Sequence, residues 1–315
     1  MMKIFNKLDF SNKENNILYF ILFVFILLLI FVISGNNKLD IQFIKQENKI
    51  KEIQNVLEDT PIEAKAVSIY DETFNIKIYG KYDEEKLPIA SLAKIITVAV
   101  VLNNSKLDDV ISISRDAIKQ EGDYGLFVNE KIKIGDLAKF ILIGSSNDGV
   151  YALAESQNIN NTKNSDLFLE KINEKARKIG MEDSLFFNFT GLDVDEVFAG
   201  AYASAQDVNI MALYALKAYP RIFSASIMPE IDIISESGFQ HNIKNTNIIL
   251  DKIPNILFSK TGYTPLAGGN LVIIYKNKYD HDIAITVLGS TIDGRFTDME
   301  KIVDTLYNLD YGNGN

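Results

Sequence analysis

The sequence predicts a mixed helix-and-strand fold in which one sheet is assembled from two separated parts of the chain and closed against a helical insert. Three observations carry this. A hairpin pattern comes first: "AKAVSIYD" at 64–71 and "FNIKIYG" at 74–80 alternate apolar and polar residues around a turn at Asp71–Thr73. The middle, about 89 to 218, is mainly helical by periodicity, as in "KIGDLAKFILIGSSNDGVYALAE" and "DLFLEKINEKARKIGM". The chain then returns to strands in "NILFSKTGYT", "NLVIIYKNK" and "DIAITVLGS", before a last amphipathic helix from about Thr297 to Leu309. Strands at both ends of a helical block imply a single sheet built from the two ends.

Upstream of the hairpin, every residue from Ile17 to Ile33 is apolar or aromatic. As a helix this run is about 25 Å long, enough with its flanks to span a bilayer. Lys3, Lys7 and Lys13 precede it, which favours an inside N-terminus. The alternative is a cleaved signal peptide. Its apolar region is usually shorter, about 7–15 residues, and an A-x-A-like site is missing, although Ser34-Gly35 is small enough for cleavage. The chain therefore reads as a cytoplasmic N-terminus (1–16), a single-pass transmembrane anchor (17–34), a stalk (35–60), a folded domain outside the cytoplasm (61–310) and a short tail (311–315). The stalk is polar with spaced Ile, Phe, Val and Leu, the pattern of an amphipathic helix, and Pro61 marks its end.

Composition excludes several function classes. With 315 residues, 47% of them hydrophobic, the chain can bury a large core. Its net charge of -10, with no Lys/Arg-rich block to offset it, argues against nucleic acid as a partner. The absence of cysteine removes disulfides, thiolate metal sites and cysteine nucleophiles. Only His241 and His281 are available to a Ser-His-Asp triad or a His-rich metal site. Neither is needed if lysine serves as base, and both read as bystanders.

Three short stretches carry candidate chemistry. In "PIASLAKIITVAVVL", Ser91 and Lys94 stand at i and i+3 of a helix that starts after Pro88, so they share one face. A serine hydroxyl needs a base to become a nucleophile. Lysine can be that base when its amine is neutral, a state favoured by apolar surroundings or a second cation. Taken alone, the pair reads equally as a helix-start serine with a snorkelling lysine. In "GSSNDGVYALAE", Ser145 and Asn147 precede an apolar helix. An N-cap explains one such residue, whereas a hydroxyl that relays protons and an amide that holds a substrate carbonyl use both. In "SKTGYTPLAGGNLVI", Lys260-Thr261-Gly262 lies on a predicted strand, with Lys260 and Gly262 on one side. Glycine in a strand often marks close approach of another backbone, and an exposed edge here can pair with an extended peptide. The bland alternative is an ordinary strand with a solvated lysine. The three together, in this order and context, are the signatures of the serine penicillin-recognising proteins.

From these motifs the sequence resembles the D-alanyl-D-alanine carboxypeptidases, the low-molecular-mass penicillin-binding proteins of peptidase type S11, over about residues 62 to 308. "NFTGLDVDEVFAGAYASAQDV" resembles the family's Asn-x-x-Gly-Leu segment, and "VLGSTIDGRFTD" its late strand and arginine-bearing turn. The resemblance implies an α+β fold of the β-lactamase/transpeptidase type, an antiparallel sheet flanked by helices. It implies Ser91 as acylated nucleophile, Lys94 as its base, and Ser145 and Asn147 flanking the leaving group. Lys260 would add positive charge, Thr261 would bind the substrate carboxylate with Arg295 assisting, and the N–H groups of Ser91 and Tyr263, beside Gly262, would form the oxyanion hole. Implied too are a peptidoglycan stem peptide as substrate, β-lactams as inhibitors, a place at the bacterial cell membrane, a part in cell-wall shape, and no metal or organic cofactor.

The sequence departs from the family at Phe189, where proline is frequent, and at Ala203, where Ser or Thr is. The family's C-terminal β-rich domain and amphipathic membrane helix are also not expected here, the N-terminal span replacing them as anchor. A class A-like β-lactamase is the near rival, but no Glu-x-x-Leu-Asn segment stands between Asn147 and Lys260. An endopeptidase or transpeptidase would share every residue named. A binding module that is acylated but barely turns over is the non-enzymatic alternative.

Overall fold

The alternation read at 64–80 becomes two paired strands, β1 (Ala66–Asp71) and β2 (Ile76–Lys81). The computed structural model that shows this describes residues 45–122, 124–157 and 165–312. The apolar run at 17–34 lies outside the described residues, and among those described no helix is long and apolar enough to cross a membrane. Glu52–Asn313 form one compact unit. It begins inside the stretch read as a stalk, because residues 52–59 are helical and bury Ile53 and Leu57.

The late strands are β5 (Ile256–Thr264), β6 (Gly268–Lys276) and β7 (Asp282–Ser290). The main sheet runs β5-β6-β7-β1-β2 and is antiparallel throughout. The join between the two ends of the domain is β1 against β7, with Val67 opposite Val287 and Ile69 opposite Ile285.

Period-two alternation then divides the core. On β7, Ala284 and Leu288 belong to the large apolar cluster of the helical lobe. Ile283, Ile285 and Val287, also buried, fall on the opposite face. The lobe comprises α1 (Lys94–Leu102), α2 (Ile134–Gly144), α3 (Asn147–Glu155), α4 (Ser165–Lys178) and α5 (Ala205–Ala218), and α5 packs on β1, β6 and β7. The C-terminal helix α6 (Gly294–Asn308) packs on β6 and β7 and buries Met299, Ile302, Val303 and Leu306.

A second hairpin, β3 (Glu230–Ile234) with β4 (Gln240–Lys244), was not legible. Its strands "EIDII" and "QHNIK" bury only single residues such as Ile233, His241 and Ile243, so too few apolar positions alternate to announce it.

One buried carboxylate fixes how the chain enters the sheet. Asp298 of α6 is fully buried and accepts from Glu63 N at 3.0 Å, Ala64 N at 2.8 Å and Ser290 Oγ at 2.8 Å. The Asp298→Ala change strands two backbone donors and a hydroxyl. It is expected to lower unfolding stability by about 3 kcal/mol, read from the denaturant midpoint at unchanged slope.

Candidate active site

The apolar run after Pro88 folds as a 3-10 turn, Ala90–Ala93, that leads directly into α1. Ile89 N donates to Ala201 O, and Ala90 takes a left-handed φ of 49°, so the chain turns sharply into Ser91. Leu92, Ala93, Ile95 and Ile96 are buried around the turn, and so is Lys94, wholly. Its Nζ lies 2.7 Å from Ser91 Oγ and 2.7 Å from Thr190 O. Burial holds the Lys94 ammonium well below the ordinary lysine range; the charge of Lys260 adds to this, and Asp148 opposes it. The N-terminal end of α1, where Lys94 is the first residue, also disfavours a cation. A neutral amine has one lone pair and two N–H groups. With an N–H on Thr190 O, the lone pair is available to the Ser91 hydroxyl.

The second stretch divides its labour between adjacent residues. Ser146 is the N-cap of α3, its Oγ accepting from Gly149 N at 2.8 Å and donating to Asp148. Capping therefore explains Ser146 and releases Ser145, which takes a left-handed φ of 62° and accepts from Lys260 Nζ at 2.8 Å. Asn147 Nδ2 donates to Glu121 O at 2.8 Å and reaches Tyr124 OH at 3.4 Å. Asn147 Oδ1 is buried without a hydrogen-bond partner.

The third stretch is the edge strand β5. Lys260 is only 1% exposed, so the solvated-lysine reading fails. Its Nζ donates to Ser145 Oγ and to Thr261 O at 2.9 Å. Burial, and then the charge of Arg295, push Lys260 down to about 7. Thr261 Oγ1 lies 2.6 Å from Thr246 Oγ1. A Cβ on Gly262 would stand 2.8 Å from Ile89 O and 3.2 Å from Ser91 N. This strand therefore lies directly against the Ser91 turn, at a spacing only glycine permits. Tyr263, the next residue, is half exposed. Arg295 at the start of α6 donates from Nη1 to Gly262 O at 2.7 Å, and its buried Nε has no partner.

The structure thus joins Ser91, Lys94, Ser145, Lys260, Thr261, Gly262 and Arg295 through direct contacts, with Asn147 and Tyr263 adjoining in sequence. The sequence did not point to Thr190 or Thr246; Thr190 lies within the quoted Asn-x-x-Gly-Leu segment, whereas "KNTN" around Thr246 carries no signal. The two histidines pair elsewhere: His241 Nε2 lies 2.6 Å from Glu130 Oε1, and His281 Nδ1 lies 3.0 Å from Asp71 Oδ2. Both are buried, so the polar stretch around His241 is strand β4 with its histidine turned inward. Phe189 packs its ring against Tyr151 and Phe168, and Ala203 is buried opposite Leu87.

Sheet, helical lobe and three converging motifs together define the serine penicillin-recognising architecture. The peptidase S11 family, described as D-alanyl-D-alanine carboxypeptidase, matches residues 53–291, and the chain belongs to it. Among curated relatives, D-alanyl-D-alanine carboxypeptidase DacF of Bacillus subtilis is 28% identical over 249 residues, covering 77% of this chain but 61% of the relative's length. A D-alanyl-D-alanine endopeptidase of Haemophilus influenzae is 30% identical over 225 residues, covering 68% of this chain and 71% of the relative. Of solved structures, a Streptomyces DD-transpeptidase superposes with a TM-score of 0.70 at 24% identity, covering 79% of this chain and 98% of that one. A D-alanyl-D-alanine carboxypeptidase of Mycobacterium tuberculosis gives 0.70 at 20% identity, covering 80% and 92%. At these identities the two structures establish the shared fold.

The Gly262→Val variant puts branched carbon where Ile89 O and Ser91 N now sit. It is expected to slow covalent capture of a fluorescent penicillin by about 10²-fold, the scale of a 1 Å misplacement, while far-UV circular dichroism stays as in wild type.

Proposed function

We propose that the protein is a serine-type D-Ala-D-Ala carboxypeptidase that removes the terminal D-Ala from peptidoglycan stem peptides and is acylated by β-lactams. It would act at the outer face of a bacterial cell membrane, held by residues 17–34. The observation that carries the reading is the fully buried Lys94 amine 2.7 Å from Ser91 Oγ, beside a lysine-threonine edge strand.

In this mechanism the neutral Lys94 amine takes the Ser91 proton as Oγ attacks the carbonyl carbon of the penultimate residue. The oxyanion is received by the N–H groups of Ser91 and Tyr263, an arrangement worth a few kcal/mol per donor, about 3. The C–N bond to terminal D-Ala breaks. Its nitrogen takes a proton from Ser145, whose oxygen is already held by Lys260 Nζ; the proton that Lys94 took from Ser91 replaces it on Ser145, and Lys94 is again the neutral base. Lys260 and Thr261, with Arg295 behind them, meet the substrate's terminal carboxylate. Asn147 supplies its unpartnered Oδ1 to a substrate amide. Water then hydrolyses the acyl-enzyme.

The endopeptidase named among the relatives has the same family core, and product analysis on muropeptides separates the two activities. Released D-Ala from a stem pentapeptide supports the carboxypeptidase, and cleaved cross-links alone would replace it. Intact-mass analysis with penicillin should show one adduct on wild type and none on Ser91→Ala; an adduct on the variant would remove Ser91 as nucleophile.

The two lysines set the pH profile. Burial depresses both amines most, and the charge of Lys260 adds to this at Lys94, as that of Arg295 does at Lys260. Acylation needs neutral Lys94 and falls as acid protonates it. Carboxylate capture needs charged Lys260 and weakens as pH rises through about 7. The second-order acylation constant is therefore expected to be bell-shaped, and replacing Lys260 with Arg should move the alkaline limb upward.

A further inference from the structure

Helix α1 is apolar except for two side chains, Lys94 and Thr97, one turn apart on one face. Both reach the same loop. Lys94 Nζ lies 2.7 Å from Thr190 O, and Thr97 Oγ1 donates to Phe189 O at 3.0 Å. Two successive carbonyls of one loop thus latch onto the face that carries the base.

A single side-chain amide makes four of the loop's hydrogen bonds. Asn188 Oδ1 accepts from Gly191 N at 2.7 Å, Thr190 Oγ1 at 3.1 Å and Thr190 N at 3.2 Å, while its Nδ2 donates to Leu192 O at 2.9 Å. The same loop is seated on the nucleophile turn: Gly191 has φ 78°, and a Cβ there would stand 1.9 Å from Ala90 O.

We infer that Asn188 is a positioning residue for acyl transfer, which holds the Thr190 carbonyl so that the Lys94 amine keeps its lone pair directed at the Ser91 hydroxyl. The Ser91 contact alone can be made by an N–H or by the lone pair, and one N–H fixed on Thr190 O leaves the lone pair for Ser91. The inference rests on the acyl-transfer reading above.

The test is the pH dependence of penicillin acylation in Asn188→Ala, Asn188→Asp and Thr97→Val, with thermal unfolding as control. Asn188→Ala should lower the plateau rate by about 10²-fold. It should also move the acid limb to lower pH, because a lost acceptor disfavours the ammonium. The other charges facing Lys94, Lys260 from β5 and Asp148 from α3, are unchanged. Asn188→Asp keeps the three accepted bonds, so its plateau should recover most of the loss, and its added negative charge should move the acid limb upward. Thr97→Val should give a smaller loss without a shifted limb. A wild-type plateau and limb in Asn188→Ala overturn the inference. So does a loss that tracks thermal stability alone in both Asn188 variants. Wild type that takes no penicillin overturns the acyl-transfer reading and the inference with it.

Discussion

The contact on which the site depends is the backbone approach of Gly262 to the Ser91 turn. Strand β5 is the sheet's edge, and the Ser91 turn belongs to the helical lobe. Their close approach brings a lysine from the strand and a lysine from the helix near enough to feel each other's charge, each within reach of a serine. The arrangement is reinforced from the far side. Arg295, from the helix that covers the opposite sheet face, holds the Gly262 carbonyl, and Asn270 of β6 reaches Pro88 O at 3.1 Å, just before the turn. Sheet and lobe are thereby locked at the one place where chemistry needs both.

Burying two lysines in this way is unfavourable for folding, because no carboxylate hydrogen-bonds to either amine in their contacts with Ser91, Thr190, Ser145 and Thr261. The protein limits the penalty by letting the amines approach neutrality, which is the state the proposed base requires. Beyond burial, Lys260 repels the proton from Lys94, and Arg295 repels it from Lys260, so a gradient of positive charge runs from α6 toward Ser91. Arg295 alone stays charged at any working pH, since a guanidinium does not titrate in proteins. A substrate carboxylate entering beside Lys260 would restore its proton and, through it, keep Lys94 neutral.

Much of this was legible. Period-two strands at both ends of a helical block gave the sheet, and the three motifs located the pocket elements. What stayed hidden were contacts with no sequence period. The β3–β4 hairpin buries too few side chains to alternate visibly, yet it lies just before Thr246, which stands against Thr261. Asp298 looks like an ordinary acidic residue on an amphipathic helix, and only the fold shows it capping backbone from residues 63 and 64. In the sequence a local breaker, Pro61, ends the stalk, whereas the compact unit starts upstream at Glu52, with Ile53 and Leu57 buried. The anchor segment remains a reading of hydrophobicity alone.

Both serine hydroxyls of the site are presented by left-handed turns in residues that are not glycine. Ala90 precedes Ser91, and Ser145 is itself the turn residue. Each such conformation costs on the order of 1 kcal/mol, and glycine would relieve it. At Ala90 the side chain has a use, since its Cβ lies 3.3 Å from the position a Gly262 Cβ would occupy and so fills the seam between turn and strand. At Ser145 the strained residue carries the oxygen that Lys260 holds, and glycine would delete it. In both cases the chain keeps a local strain because the unstrained residue would lose the contact for which the turn is formed.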